Sequence, residues 1–337
     1  MKSRKLRSGL LALCAFGAIS IIDNASAQSF QTRGSNDASL PVLHRAGAAG
    51  PTNVAALLSA RFCTDCSAQT TTQSNQLRIA GSHSSLIVTV DGASAKFEDE
   101  AVHNLAHSLA KPVADKMSDA ALEQAGRTFI AAKLADVIVL GPGEELVLVR
   151  TDYRIEGQQN LSTGEVTRSV AANRIVFGRT IHGVPVVGNG STVALTFLNN
   201  GSLESFRYDW PKYQATASQN LVDSNEILSR VQTVIGVRTH VIPNFAVTTP
   251  ARLDASHPVA LTSETSLQKL ECGYYDPGTR SGKSVAIVQP GCTYRVVWES
   301  ANGMRQGYAG AVPAGGHFEA DSTWMEAGIL GESNLSF

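Results

Sequence analysis

The chain has 337 residues, 43% of them hydrophobic, which is enough apolar material for one large or two medium globular domains. Its formal net charge is -1, and no run of basic residues is available to neutralise phosphates, so a nucleic-acid partner is excluded.

The first element is an export signal. Lys2, Arg4, Lys5 and Arg7 precede an apolar run from Leu10 to Ile22, followed by the small-residue cleavage site Ala25-Ser-Ala27. This reads as a secretory signal peptide over residues 1–27, with cleavage near Ala27. The run is shorter than the roughly 20 residues of a membrane span, and no later stretch approaches that length. The mature chain is therefore expected to be secreted or periplasmic and to carry no transmembrane segment. Cys14 follows Leu13 rather than a small residue, which argues against a lipoprotein signal.

Residues 28–80 read as a largely irregular leader, with a short helix over 54–62 running into Cys63-x-x-Cys66. Leu86–Val90 is a strand closed by the Asp91-Gly92 turn. Val102, Leu105, Ala106 and Leu109 fall on one helical face after Phe97–Glu100, and a second helix begins near Ser118. Strand texture follows at 137–140, 146–154, 173–181, 191–197 and 203–210, with Asn200-Gly201 as a hairpin turn. Asp223 and Glu226 form a capping box for a helix that Gly236 should stop. Strand-like pieces return at 268–275, 285–288, 294–298 and 305–309. The fold class expected is α+β, antiparallel sheets each packed by one or two helices. Two related subdomains are expected, 81–170 and 171–325, before a tail at 326–337.

Four cysteines survive signal cleavage, Cys63, Cys66, Cys272 and Cys292. In an oxidising compartment they read as two disulfides, most simply Cys63–Cys66 and Cys272–Cys292. Cys-x-x-Cys is also the spacing of a redox couple or of half a zinc site, although no second such pair completes a ribbon. His103 and His107 have the i, i+4 spacing of a helical zinc site, but Asn104 stands where a metallopeptidase carries its glutamate base. They are read as half-exposed flanks of an apolar stripe. His317, Glu319 and Asp321 alternate on what would be one strand face, and Asp209-Trp210 closes a strand before Pro211. Gly282-Lys-Ser-Val-Ala286 lacks the final glycine of a nucleophile elbow. No catalytic residue, metal ligand or cofactor is assigned, and the chain is expected not to be an enzyme.

Gly183-Val-Pro-Val-Val-Gly188, the strand 191–197 and Asn200-Gly201 resemble the propeptide motif of thermolysin- and fungalysin-type metalloproteases. The following helix and strands are similar in order to the PepSY domain of such propeptides. In that family these modules are non-catalytic, and they inhibit a protease domain or assist its folding. The resemblance makes Gly183, Val184, Pro185, Val186, Gly188 and Gly201 motif residues rather than site residues. With no protease domain following, it implies a stand-alone exported PepSY-like module whose expected partner is a separate exported peptidase. The other reading is an envelope-associated structural or binding protein with no protease link.

Overall fold

The computed structural model describes residues 39–48, 53–66, 70–73, 75–160, 162–239, 266–278, 286–299, 305–316, 318 and 328–330. The expected signal peptide and cleavage site, the start of the expected leader, Gly282–Val285, and His317, Glu319 and Asp321 lie outside them.

In chain order the elements are β1 (Ser39–Ala48), α1 (Val54–Phe62), β2 (Thr70–Gln73), β3 (Gln76–Ala80), β4 (Ser84–Thr89), β5 (Ser94–Asp99) and α2 (Glu100–Asn104). Next come β6 (Lys111–Pro112), a 3-10 turn at Val113–Asp115, and α3 (Asp119–Phe129), which ends in a π turn at Ile130–Leu134. The long strands β7 (Glu144–Gln159) and β8 (Val166–Ile181) precede β9 (Val184–Gly188), β10 (Thr192–Phe197), β11 (Leu203–Asp209) and β12 (Pro211–Asn220). The last elements are α4 (Ser224–Thr239), β13 (Ser266–Asp276), β14 (Ile287–Glu299), β15 (Arg305–Pro313) and β16 (Gly328–Leu330).

The expectation of separate helix-packed α+β subdomains is overturned. The sixteen strands join into one mixed sheet, whose main path runs β12-β1-β14-β13-β9-β8-β10-β11-β5-β4-β3-β2. Two features make it continuous. β1 pairs with both β12 and β14, and β9 pairs antiparallel with β8 but parallel with β13, Val186 standing opposite Tyr274. Residues 170 and 171 both lie within β8, which pairs along its whole length with β7.

Helices cover only patches of this sheet. α1 and α3 lay Leu58, Leu122, Ile130 and Leu134 on Phe97, Ile175, Phe177, Leu195 and Phe206. Phe62, Phe97 and Phe206 touch ring to ring, with centroids 4.8–5.6 Å apart. Gly126 lets α3 approach closely, because a Cβ there would lie 2.6 Å from the Phe177 ring. A second core packs Ile227, Val231, Val234 and Ile235 of α4 on Tyr294, Val296 and Val312.

Local expectations fared unevenly. α3 starts where Ser118 caps it, its Oγ accepting from Ala121 N, and Asp223 accepts from Glu226 N at the start of α4. The helix expected through Leu109 stops at Asn104, because Ala106 is pulled into a separate cluster with Ala171, Ala172 and Leu198. Val137–Leu140 is not a strand. The amides of Val137 and Ile138 instead donate to Leu134 O, closing the helix end. α4 runs through Gly236 to Thr239, since Val234 and Ile235 keep that turn packed. Ile287 and Val288, from the piece expected at 285–288, and the piece expected at 294–298 belong to one strand, β14.

Candidate functional site

One face of the β3-β4-β5-β11-β10-β8-β7 sheet carries the helices, and the opposite face carries polar side chains. Strand alternation puts Arg78 and Ala80, Ile87 and Ser85, Lys96 and Glu98, Arg207 and Ser205 on that second face. At one end of it, the β3–β4 turn, the start of α2 and the start of β11 enclose a pocket of about 470 Å³. Arg78, Ser82, His83, Ser85, Glu98 and Glu204 line it together with His103 and Ser205.

The turn forming one wall is held from below. Asp65, in the loop after α1, accepts hydrogen bonds from Ser84 Oγ, Ser82 Oγ and the His83 amide. The Ser84 bond, then the His83 bond, hold the Asp65 carboxyl well below the usual carboxylate range. Opposite, Glu204 has a buried side chain. Its Oε1 accepts from His103 Nδ1 at 2.6 Å and from Arg154 Nη1 at 2.7 Å, while Oε2 is buried without a hydrogen bond. The pocket thus offers hydroxyls and carboxylates, with Arg78 as a cation on its rim, and can bind a polar group by hydrogen bonding and charge.

His103 and His107 do not converge on one point. His107 Nδ1 donates to Glu156 Oε2 at 2.9 Å, so each histidine serves a different carboxylate. The four cysteines are joined as Cys63–Cys66 and Cys272–Cys292, the latter directly opposite in the β13–β14 register. Cys63, Asp65 and Cys66 form the one group of three metal-ligating residue types that come together among the described residues. Both sulfurs are spent in the disulfide, and Asp65 is spent on the turn. Cys63 also sits at the C-terminal cap of α1, where the negative end of the helix dipole disfavours a thiolate. These residues act as a structural clamp.

The motif residues are placed by packing. His182 (φ 50) and Gly183 (φ 78) make the two-residue turn between β8 and β9. Pro185 needs no donor toward β13, because that pairing begins only at Val186. Val186 is buried with Ile181, Tyr274, Leu43 and Val288. Gly188 (φ +103) leads into Gly190, where a Cβ would overlap the Asp276 carboxyl group. Gly201 (φ +85) closes the β10–β11 hairpin.

That Asp276 belongs to a buried polar cluster without a signature in the sequence. Arg45 of β1 donates to both Asp276 and Asp209, and the Tyr213 hydroxyl donates to Asp276. Burial, reinforced by the Asp276 charge, pushes the Tyr213 phenol well above its ordinary value, so it remains a donor. Beside it Arg179 donates to Glu144 and to Pro211 O and stacks on Trp210, 4.1 Å from its ring centroid. Asp209 and Trp210 are therefore interior seam residues. The pocket residues Arg78, His83, Glu98 and Glu204 were also missed. Strand alternation flags Arg78 and Glu98 as outward-facing, but only the sheet register brings them together.

No protein-family profile matches the chain, and a search of curated proteins finds no significant match. No helix among the described residues is long and apolar enough to cross a membrane.

Proposed function

We propose that the mature chain is an exported, non-catalytic binding module, similar in role to protease propeptides, that engages a separate exported peptidase. The observation that carries this reading is β7. It runs for 16 residues and pairs with β8 along one side, and no strand among the described residues pairs with its other side. Along it Leu148, Val149 and Ile155 are exposed. An unpaired, partly apolar edge is a template for adding an extended segment of a partner, with main-chain hydrogen bonds giving affinity and alternate side chains giving specificity. The resemblance around Gly183–Gly188 supplies the class of partner.

The test is to mix purified mature chain with exported metallopeptidases and follow peptide hydrolysis. Inhibition, or a raised yield of refolded peptidase, is expected while the chain itself turns nothing over. Ile155→Lys should weaken the effect about tenfold or more, equivalent to about 1.4 kcal/mol, at unchanged melting temperature. Hydrolysis by the chain alone, or no effect on any such enzyme, would refute the reading.

A further inference from the structure

The polar sheet face also assembles cations from distant parts of the chain. One transverse row is Arg78, Ile87, Lys96, Arg207, Ala194, Val176 and Arg150, each opposite the next in the register of β3, β4, β5, β11, β10, β8 and β7. The adjacent row is Ala80, Ser85, Glu98, Ser205, Thr196, Arg174 and Asp152. Rows lie about 7 Å apart and neighbouring strands about 4.8 Å apart. Arg207, Arg174 and Arg150 therefore surround a floor of small side chains, Ala194, Val176 and Thr196, of which Ala194 and Val176 are buried.

The acids near this cluster are already engaged. Asp152 accepts from Arg150 Nε at 2.9 Å, Asp209 pairs with Arg45, and Glu98 pairs with Lys96 at 2.7 Å. Arg174 and Arg207 are half-buried, and neither makes a hydrogen bond or ion pair among the described residues. Burial lowers both guanidiniums from their ordinary value; Arg150 pushes Arg174 further down, and Arg174 does the same to Arg207. Asp152 and Asp209 act in the opposite sense. Half-buried like charges facing one another cost stability, and an arrangement of arginine forks is suited to a multivalent oxyanion.

We propose that Arg150, Arg174 and Arg207 form a binding site for a phosphate or sulfate group, on the sheet face beside the pocket. Ser205 and Thr196, in the same row as Arg174, stand where their hydroxyls can add hydrogen bonds. The proposal does not rest on the peptidase reading: Arg150 is a residue of β7, but Arg174 and Arg207 lie on β8 and β11, away from its free edge, and they carry the test.

The experiment titrates the intact mature chain with inorganic phosphate and, separately, sulfate by calorimetry at low ionic strength, with acetate as the monovalent comparison. One-to-one saturable binding of phosphate, sulfate or both, tighter than acetate, is expected, and which anion binds tighter identifies the group. Arg174→Gln and Arg207→Gln should each weaken binding about tenfold or more, whereas Lys133→Gln, far from the cluster, should not. Both arginine variants should melt at or above the temperature of the parent, because removing one cation relieves the repulsion. A purely structural role would lower the melting temperature and leave any anion affinity intact. Should a variant fail to fold, modification of the parent chain by phenylglyoxal decides the matter: the bound anion must shield Arg174 and Arg207 in peptide mass spectra. No saturable binding, no preference over acetate, unchanged affinity in the variants, or no shielding would overturn the proposal.

Discussion

At the scale of single residues, the firmest constraints are charges taken out of water. The Asp276 side chain is fully buried, and Asp209 is nearly so. Their shared partner is Arg45, supplied by the first described strand, and Gly278 N adds a bond to Asp276 at 2.8 Å. Breaking a buried pair from one side leaves a charge without compensation, which is far costlier than the pair's net worth. Arg45→Met should therefore lower stability by about 3–5 kcal/mol in urea unfolding at neutral pH. Adding Asp276→Asn should recover part of that loss. If the single variant unfolds like the parent, the cluster does not hold β1 in the sheet. The glycines around this cluster were legible as breaks in a valine-rich strand. Their cause was not, because Gly190 is required by Asp276, which is 86 positions away in the chain.

At the scale of elements, the helix starts at Ser118 and Asp223 were legible, although Glu226 bonds Arg230 instead of completing a capping box, and the extents of the elements were not. Asn53, Asp99, Ser118 and Asp223 all cap helices through side-chain oxygens, as their residue types suggest. α2 nevertheless lasts only five residues and Val137–Leu140 turns rather than extends, since tertiary packing outweighs a short periodic pattern. Asp65 is the clearest case of a side chain tying elements together, joining the loop after α1 to the β3–β4 turn at the mouth of the pocket. Its folded pKa is depressed, first by Ser84 and then by the His83 amide. Asp119 is depressed likewise, mainly by Tyr153 and then Thr151, at the start of α3. A depressed carboxyl contributes stability above its unfolded value, about 3.9, and loses that contribution as pH falls through the folded one. Stability should thus decline on the acid side below about pH 4.5, and the Asp65→Asn variant should decline less steeply there. Because Asp65 is exposed, the difference should shrink in high salt. Parallel acid limbs in the two proteins would remove Asp65 from the account.

At the scale of the whole molecule, the order of strands and helices suggested two helix-covered units, and the pairing made one sheet. The difference lies in contacts that no local pattern encodes: β1 entering between β12 and β14, and β9 pairing in parallel with β13 across the intervening β10–β12 and α4. The same remoteness explains why the pocket and the arginine cluster were invisible, since the pocket joins β3, β4 and β5 to β11 and the cluster joins β7 and β8 to β11. A continuous sheet has an energetic consequence. Unfolding the C-terminal strands exposes one side of β9, so the two cores should not melt independently, and calorimetry of the chain should give one transition with matching calorimetric and van't Hoff enthalpies. The Cys272–Cys292 disulfide sits inside that linked region, its Cα atoms 4.0 Å apart and its sulfurs buried against α4. Replacing both cysteines by alanine should cost about 2–4 kcal/mol and lower the single transition as a whole. The Cys63–Cys66 bridge closes a far shorter loop, so the equivalent replacement there should cost less. Two resolved transitions in the parent, or a Cys272/Cys292 variant that loses only its C-terminal transition, would mean that the β9–β13 pairing does not couple the halves.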